Sequence, residues 1–155
     1  MSNSRGSLAI AFTTLVLFLS LFSNARAQTY VDARMGAYVD AEDLFVGGGV
    51  LTRIVDSFYL NPNVEYVFAE RADVATFNFD FHYDFPERRN VFAWAGAGLA
   101  VLYNDPDGPI ESNTDVGANL LFGVGFDLDP VIPYIQGKVI LSEDNEFVLG
   151  FGVRF

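Results

Sequence analysis

Apolar and polar residues alternate with a period of two along nearly all of the chain after residue 28. In DVATFNFDFHYDF, which begins at Asp73, one set is Ala75, Phe77, Phe79, Phe81, Tyr83 and Phe85. The other is Val74, Thr76, Asn78, Asp80, His82 and Asp84. Successive side chains of a strand point to opposite sides, so this pattern predicts a strand with an aromatic face and a polar face. The stretch 58–68 repeats it, with Phe58, Leu60, Pro62, Val64, Tyr66 and Phe68 opposite Tyr59, Asn61, Asn63, Glu65 and Val67. Between 115 and 128 an apolar set from Val116 to Leu128 opposes Asp115, Gly117, Asn119, Leu121, Gly123, Gly125 and Asp127. No window of comparable length prefers helical spacing.

About eight such segments can be drawn, at 30–40, 44–54, 58–68, 73–85, 91–103, 114–128, 131–141 and 146–155. Short connectors rich in Asp, Asn, Gly, Pro and Ser separate them, among them Asp56-Ser57, Asp129-Pro130 and Ser142-Glu143-Asp144-Asn145. Connectors this short make neighbouring strands antiparallel hairpins. An even meander can close on itself and leave no edge, which predicts an all-β, eight-stranded, antiparallel up-and-down barrel.

Closure leaves two directions for the aromatic face. Eight strands enclose a space only just wide enough for side chains, and this face supplies bulky groups from nearly every strand. Gly36, Gly117, Gly123, Gly125, Gly150 and Gly152 fall on the polar face, as a crowded interior requires. The expectation is therefore a transmembrane β-barrel, with aromatic residues toward lipid and polar ones within. The alternative is a soluble, lipocalin-like periplasmic barrel that holds an apolar ligand inside its aromatic face. Segment 91–103 is ambiguous, because Trp94 shares a face with Gly96 and Gly98.

The first residues are of another kind. Arg5 precedes an apolar run at 8–22, followed by Ser23-Asn24-Ala25-Arg26-Ala27. Fifteen apolar residues fall short of the roughly 20 that a spanning helix needs, and the small residues fit a cleavage site. Residues 1–27 are thus expected to be a cleaved signal peptide and 28–155 a single domain. The chain has 9 basic and 20 acidic residues; the leader takes Arg5 and Arg26, leaving 7 minus 20, or a charge of −13. Nucleic acid is an improbable partner for such a surface. There is no Cys, so disulfides, cysteine nucleophiles and a lipid-bearing N-terminal cysteine are all excluded.

The chain closes on FVLGFGVRF, where Leu149, Phe151, Val153 and Phe155 share one face. With the leader and the alternation, this ending resembles the small eight-stranded outer-membrane barrels of Gram-negative bacteria, the type of the transmembrane domain of outer membrane protein A. The resemblance implies location in the cell outer membrane, with outer-membrane lipids and lipopolysaccharide as neighbours. It also implies that Leu149, Phe151, Val153 and Phe155 form the signal read by the barrel-insertion machinery, and that both termini are periplasmic. Two departures from that type are expected: no peptidoglycan-binding domain after the barrel, and outer loops that are mostly short. A structural or surface-interaction role, as a monomer without cofactor, is what remains.

Candidate chemistry lies on the polar face. Asp32, Arg34, Arg53, Glu65, Asp80, His82, Asp115, Asp127, Lys138 and Arg154 are expected in the lumen, where charges of both signs must pair. Such a lumen would be plugged, which is incompatible with a general diffusion porin. Asp32 and Arg154 are expected near one rim, within ion-pairing reach. Carboxylates crowd the opposite rim, where they would either be simply solvated or share divalent cations with lipopolysaccharide phosphates. Asp105-Pro106-Asp107-Gly108 followed by Glu111 has the residue types of a calcium loop but not its spacing. His82, the only histidine, would need a nucleophile beside it to serve a lipid-modifying enzyme. The serines after residue 28 are Ser57, Ser112 and Ser142, and none is expected next to it, so a lumenal histidine paired with an acid is the reading taken.

Overall fold

The computed structural model describes residues 28–70, 72–106 and 111–155. The expected signal peptide, and Asp107 and Gly108 of the loop that follows residue 106, lie outside the described residues. Eight strands run in chain order: β1 (Thr29–Tyr38), β2 (Asp43–Val55), β3 (Phe58–Ala69), β4 (Ala72–Asp84), β5 (Val91–Pro106), β6 (Asn113–Phe126), β7 (Ile132–Leu141) and β8 (Glu146–Arg154). Each pairs antiparallel with the next, and β8 pairs with β1 to close the barrel. Every strand overlaps one segment drawn from the alternation. The main departure is β5, which continues to Pro106 because Leu102 to Pro106 stay paired with β4.

Pairing in β3 and β4 is unbroken from Phe58↔Tyr83 to Ala69↔Ala72. Each outward aromatic of one strand therefore faces an outward residue of the other. In β2 the register shifts between Arg53 and Val55, close to the two-residue turn at Asp56 and Ser57. Asp56 there has φ 46°, in the left-handed region that tight hairpin turns use and that Asp tolerates.

The aromatic face points outward. Phe77, Phe79 and Phe81 are 48, 45 and 55% exposed, while Thr76, Asn78, Asp80 and His82 between them are buried. Phe122, Phe147, Phe151 and Phe155 are likewise outside. This removes the premise of the lipocalin-like alternative, which needed these rings around a cavity. The glycines of the inner face make room for large groups on neighbouring strands. A Cβ at Gly123 would overlap the indole of its register partner Trp94. That is why Trp94 can share a face with glycines: its ring lies inside, over the space that Gly123 leaves.

Candidate functional site

The inner face is layered. At the end remote from the termini, Tyr38, Phe45, Val67, Ala100, Ile140 and Val148 pack into an apolar cluster. At the end that carries the termini, Trp94, Leu121 and Tyr134 form a second, with Phe92 against it. Between them lies a polar layer that draws on β1, β3, β4, β6 and β7.

Asp32 and Arg34 stand two apart on β1 and so share a face. Arg34 Nε donates to Asp32 Oδ1 at 3.0 Å, and Nη2 makes a second contact to Oδ2. The same Nη2 donates to Asn61 Oδ1 at 2.7 Å, while Nη1 lies 3.6 Å from Glu65 Oε1. Glu65 also accepts from Lys138 Nζ, across the lumen on β7, at 2.7 Å. Tyr38 donates its hydroxyl to the same Oε2 at 2.7 Å, and its oxygen lies 3.0 Å from Thr76 Oγ1. Glu65 thus has two cations and a phenol around one buried carboxylate. Charge-assisted contacts of this kind offset the cost of taking ions out of water.

Asparagines extend the network toward β6. Asn63 Nδ2 donates to Asp80 Oδ2 at 2.9 Å, and Asn119 Nδ2 to Asp80 Oδ1 at 2.7 Å. Asn78 receives from Asn119 at 2.9 Å and donates to Asn63 Oδ1 at 3.0 Å. Asn61 anchors the chain of amides to the backbone, donating to Val50 O at 3.1 Å. Asn61, Asn63, Asn78, Asn119, Tyr38 and Thr76 were not among the residues singled out from the sequence. Their signal is present in the sequence, since five of them, all but Tyr38, lie on the polar side of the alternations, but neutral side chains do not stand out there as ionisable ones do.

Several expectations need correction. Arg53 keeps its register with Tyr59 on the inner face but is exposed, because it stands at the terminal mouth; there it donates from Nε to Tyr59 Oη at 3.1 Å and contacts Gln28. Asp115 and Asp127 sit half-buried at opposite rims and lie outside the polar layer; Asp115 caps the N–H of Val116 and Asp127 that of Asp129. Asp32 and Arg154, expected within ion-pairing reach, are direct register partners, but among the described residues no ion pair joins them and the carboxylate is taken by Arg34. Arg154 instead lies over the rings of Trp94, Tyr134 and Phe92, its Cζ at 4.2, 5.0 and 5.8 Å from their centroids. A guanidinium is weakly hydrated and planar, which suits it to ring faces.

His82 Nδ1 lies 3.0 Å from Asp84 Oδ1, with its ring stacked on Tyr59 and tilted against Trp94. Among the described residues no serine hydroxyl bonds to it. Ser57 and Asp84 share a cavity of about 370 Å³ at the terminal mouth, with Arg53, Arg154 and Phe92 in its wall, and His82 does not line it. At the other mouth a hollow of about 400 Å³ is floored by Tyr38, Val67, Val74 and Leu102 and rimmed by carboxylates including Asp43, Asp115, Glu143 and Glu146. Among the described residues no three His, Cys, Asp or Glu side chains are placed to hold a metal ion. Leu149, Phe151, Val153 and Phe155 all lie on the outer face of the closing strand or just beyond it.

No family model matches the chain, and no curated protein matches it in sequence. Solved structures do match in shape. The N-terminal β-barrel domain of Pseudomonas aeruginosa OprF superposes with a TM-score of 0.73 at 17% identity, covering 84% of this chain and 98% of that one. Neisserial surface protein A gives 0.69 at 16% identity, again covering 84 and 98%. A de novo designed barrel, TMB2.3, gives 0.56 at 14%, covering 86 and 97%. At such identities the likeness is one of architecture: the chain has the closed eight-stranded fold of the small outer-membrane barrels.

Proposed function

We propose that this protein is an integral barrel of the bacterial outer membrane, with a structural or surface-interaction role. The observation that carries the reading is the inversion of polarity: aromatic and aliphatic groups cover the outside while ion pairs and amides fill the inside. In water that outer face would drive aggregation, whereas in a bilayer it is the required surface. The likeness to outer-membrane barrels supports the location and, with it, periplasmic termini and an acidic rim on the cell surface.

The packed lumen supports a plugged barrel over a diffusion pore. His82 in its aromatic sandwich supports a non-catalytic role, as do the outer-membrane barrels of like fold. Leu149, Phe151, Val153 and Phe155 offer the outward apolar stripe that an insertion machinery would read during assembly. Lipid and lipopolysaccharide are the proposed neighbours, the latter through divalent cations shared with rim carboxylates such as Asp43 and Glu143.

Membrane fractionation combined with gel migration tests the location. The expected result is a band that stays with outer membranes, resists SDS when unheated and changes mobility on boiling. Release with the periplasmic contents and a single mobility would overturn it.

A further inference from the structure

Glu65 and Asp80 are buried to the same degree, at 1% exposure each, yet only one of them meets a cation. Among the described residues no Lys, Arg or His nitrogen forms an ion pair with Asp80. Both of its oxygens accept amide N–H groups, from Asn63 and from Asn119. As placed, the Asp80 carboxylate has no cation beside it and serves as an acceptor only. Neutral amides orient toward this charge but do not cancel it, and an uncancelled ion in a packed interior is expensive.

A second observation falls at the same place. Asn119 Oδ1 is buried and accepts no hydrogen bond, although it belongs to the amide that holds Asp80. Exchanging its oxygen and nitrogen would not help, because the oxygen would then face both the Asp80 carboxylate and Asn78 Oδ1. The two residues flank Gly98, which is the register partner of both. A Cβ on Gly98 would overlap Asp80 Oδ1, so the glycine provides the room that this carboxylate occupies. A carboxylate without an adjacent cation and an orphaned neutral oxygen therefore lie on either side of a strand position without a side chain. Asn78 Oδ1 and Asn63 Oδ1 lie in the same network, each accepting one N–H and retaining a lone pair.

We propose that Asp80 and Asn119 hold a monovalent metal cation, sodium or potassium, in the middle of the lumen. A hard cation takes carboxylate and amide oxygens together. One carboxylate matches one positive charge, whereas a divalent ion would leave a surplus. Water alone would satisfy Asn119 but leave Asp80 without a cation beside it. The site goes beyond the proposed membrane role and does not depend on which mouth faces the periplasm.

Diffraction from crystals of the folded barrel grown with thallium(I) in place of potassium tests it. The expected result is an anomalous peak in contact with both Asp80 and Asn119 Oδ1, lost in Asp80→Asn. Should that variant fail to fold, Asn119→Ala serves in its place, since it removes the orphaned oxygen. Absence of the peak from the unaltered protein, or a peak of equal height in the variants, overturns the proposal.

Discussion

Two carboxylates on adjacent strands show two ways of keeping charge inside a barrel. Glu65 on β3 is neutralised by Lys138 and Arg34, which reach it from β7 and β1. Asp80 on β4 receives only amide donors from its own wall and from β6. The first arrangement ties distant parts of the wall together through the lumen; the second is nearly local. The difference shows that burial alone does not say how an ion is compensated. What decides it is which side chains the tilt of the barrel brings to the same height.

The largest effect should come from Glu65→Ala, which leaves Lys138 and Arg34 buried without their shared partner. A loss of about 3–5 kcal/mol is expected from breaking one side of such a pair. Urea titration of the folded barrel in micelles, followed by heat-modifiable mobility, measures it, and a loss below that of the next variant would erase the distinction between the two centres. Gly98→Ala strikes at the Asp80 centre, where the added methyl meets Asp80 Oδ1 and the backbone carbonyl of Phe79. Overpacking of this sort costs about 1–3 kcal/mol in the same titration. Asn78→Ala removes one amide link between Asn119 and Asn63 and should cost about 1 kcal/mol, since neutral hydrogen bonds contribute about that much net. Glu143→Gln at the exposed rim sets the baseline: its urea midpoint should correspond to a change within about 0.5 kcal/mol, as for other surface positions.

The alternation made the strand count, the closure and the direction of most faces legible, because a period of two assigns each residue to a side. It does not assign height. Asp32 and Arg154 could be placed near one rim from strand order alone, and they are register partners. Nothing in the pattern said that Arg34, two residues along, would take the carboxylate first. Lys138 meets Glu65 across the interior, a contact between strands that share no hydrogen bonds, and only the tilt and stagger of a closed sheet produce it. Trp94 was ambiguous because size was weighed within its own strand, whereas the space it needs comes from Gly123 on the next. Arg53 has the inward side that the alternation gives it, but its height puts it at the open mouth beside Tyr59 and outside the polar layer.

The seam between β1 and β8 joins the two ends of the polypeptide, and Arg154 sits at it, laid across rings from β5 and β7. Contacts between such remote parts of a chain form slowly, since the loop they close is the longest available. Arg154 can reach its aromatic bed only when β5 and β7 curve toward each other, so the stacking depends on the closed sheet. In a cylinder closed this way one cation ties the seam to the opposite wall, and losing it would loosen the zipper where the two outermost strands of the chain meet.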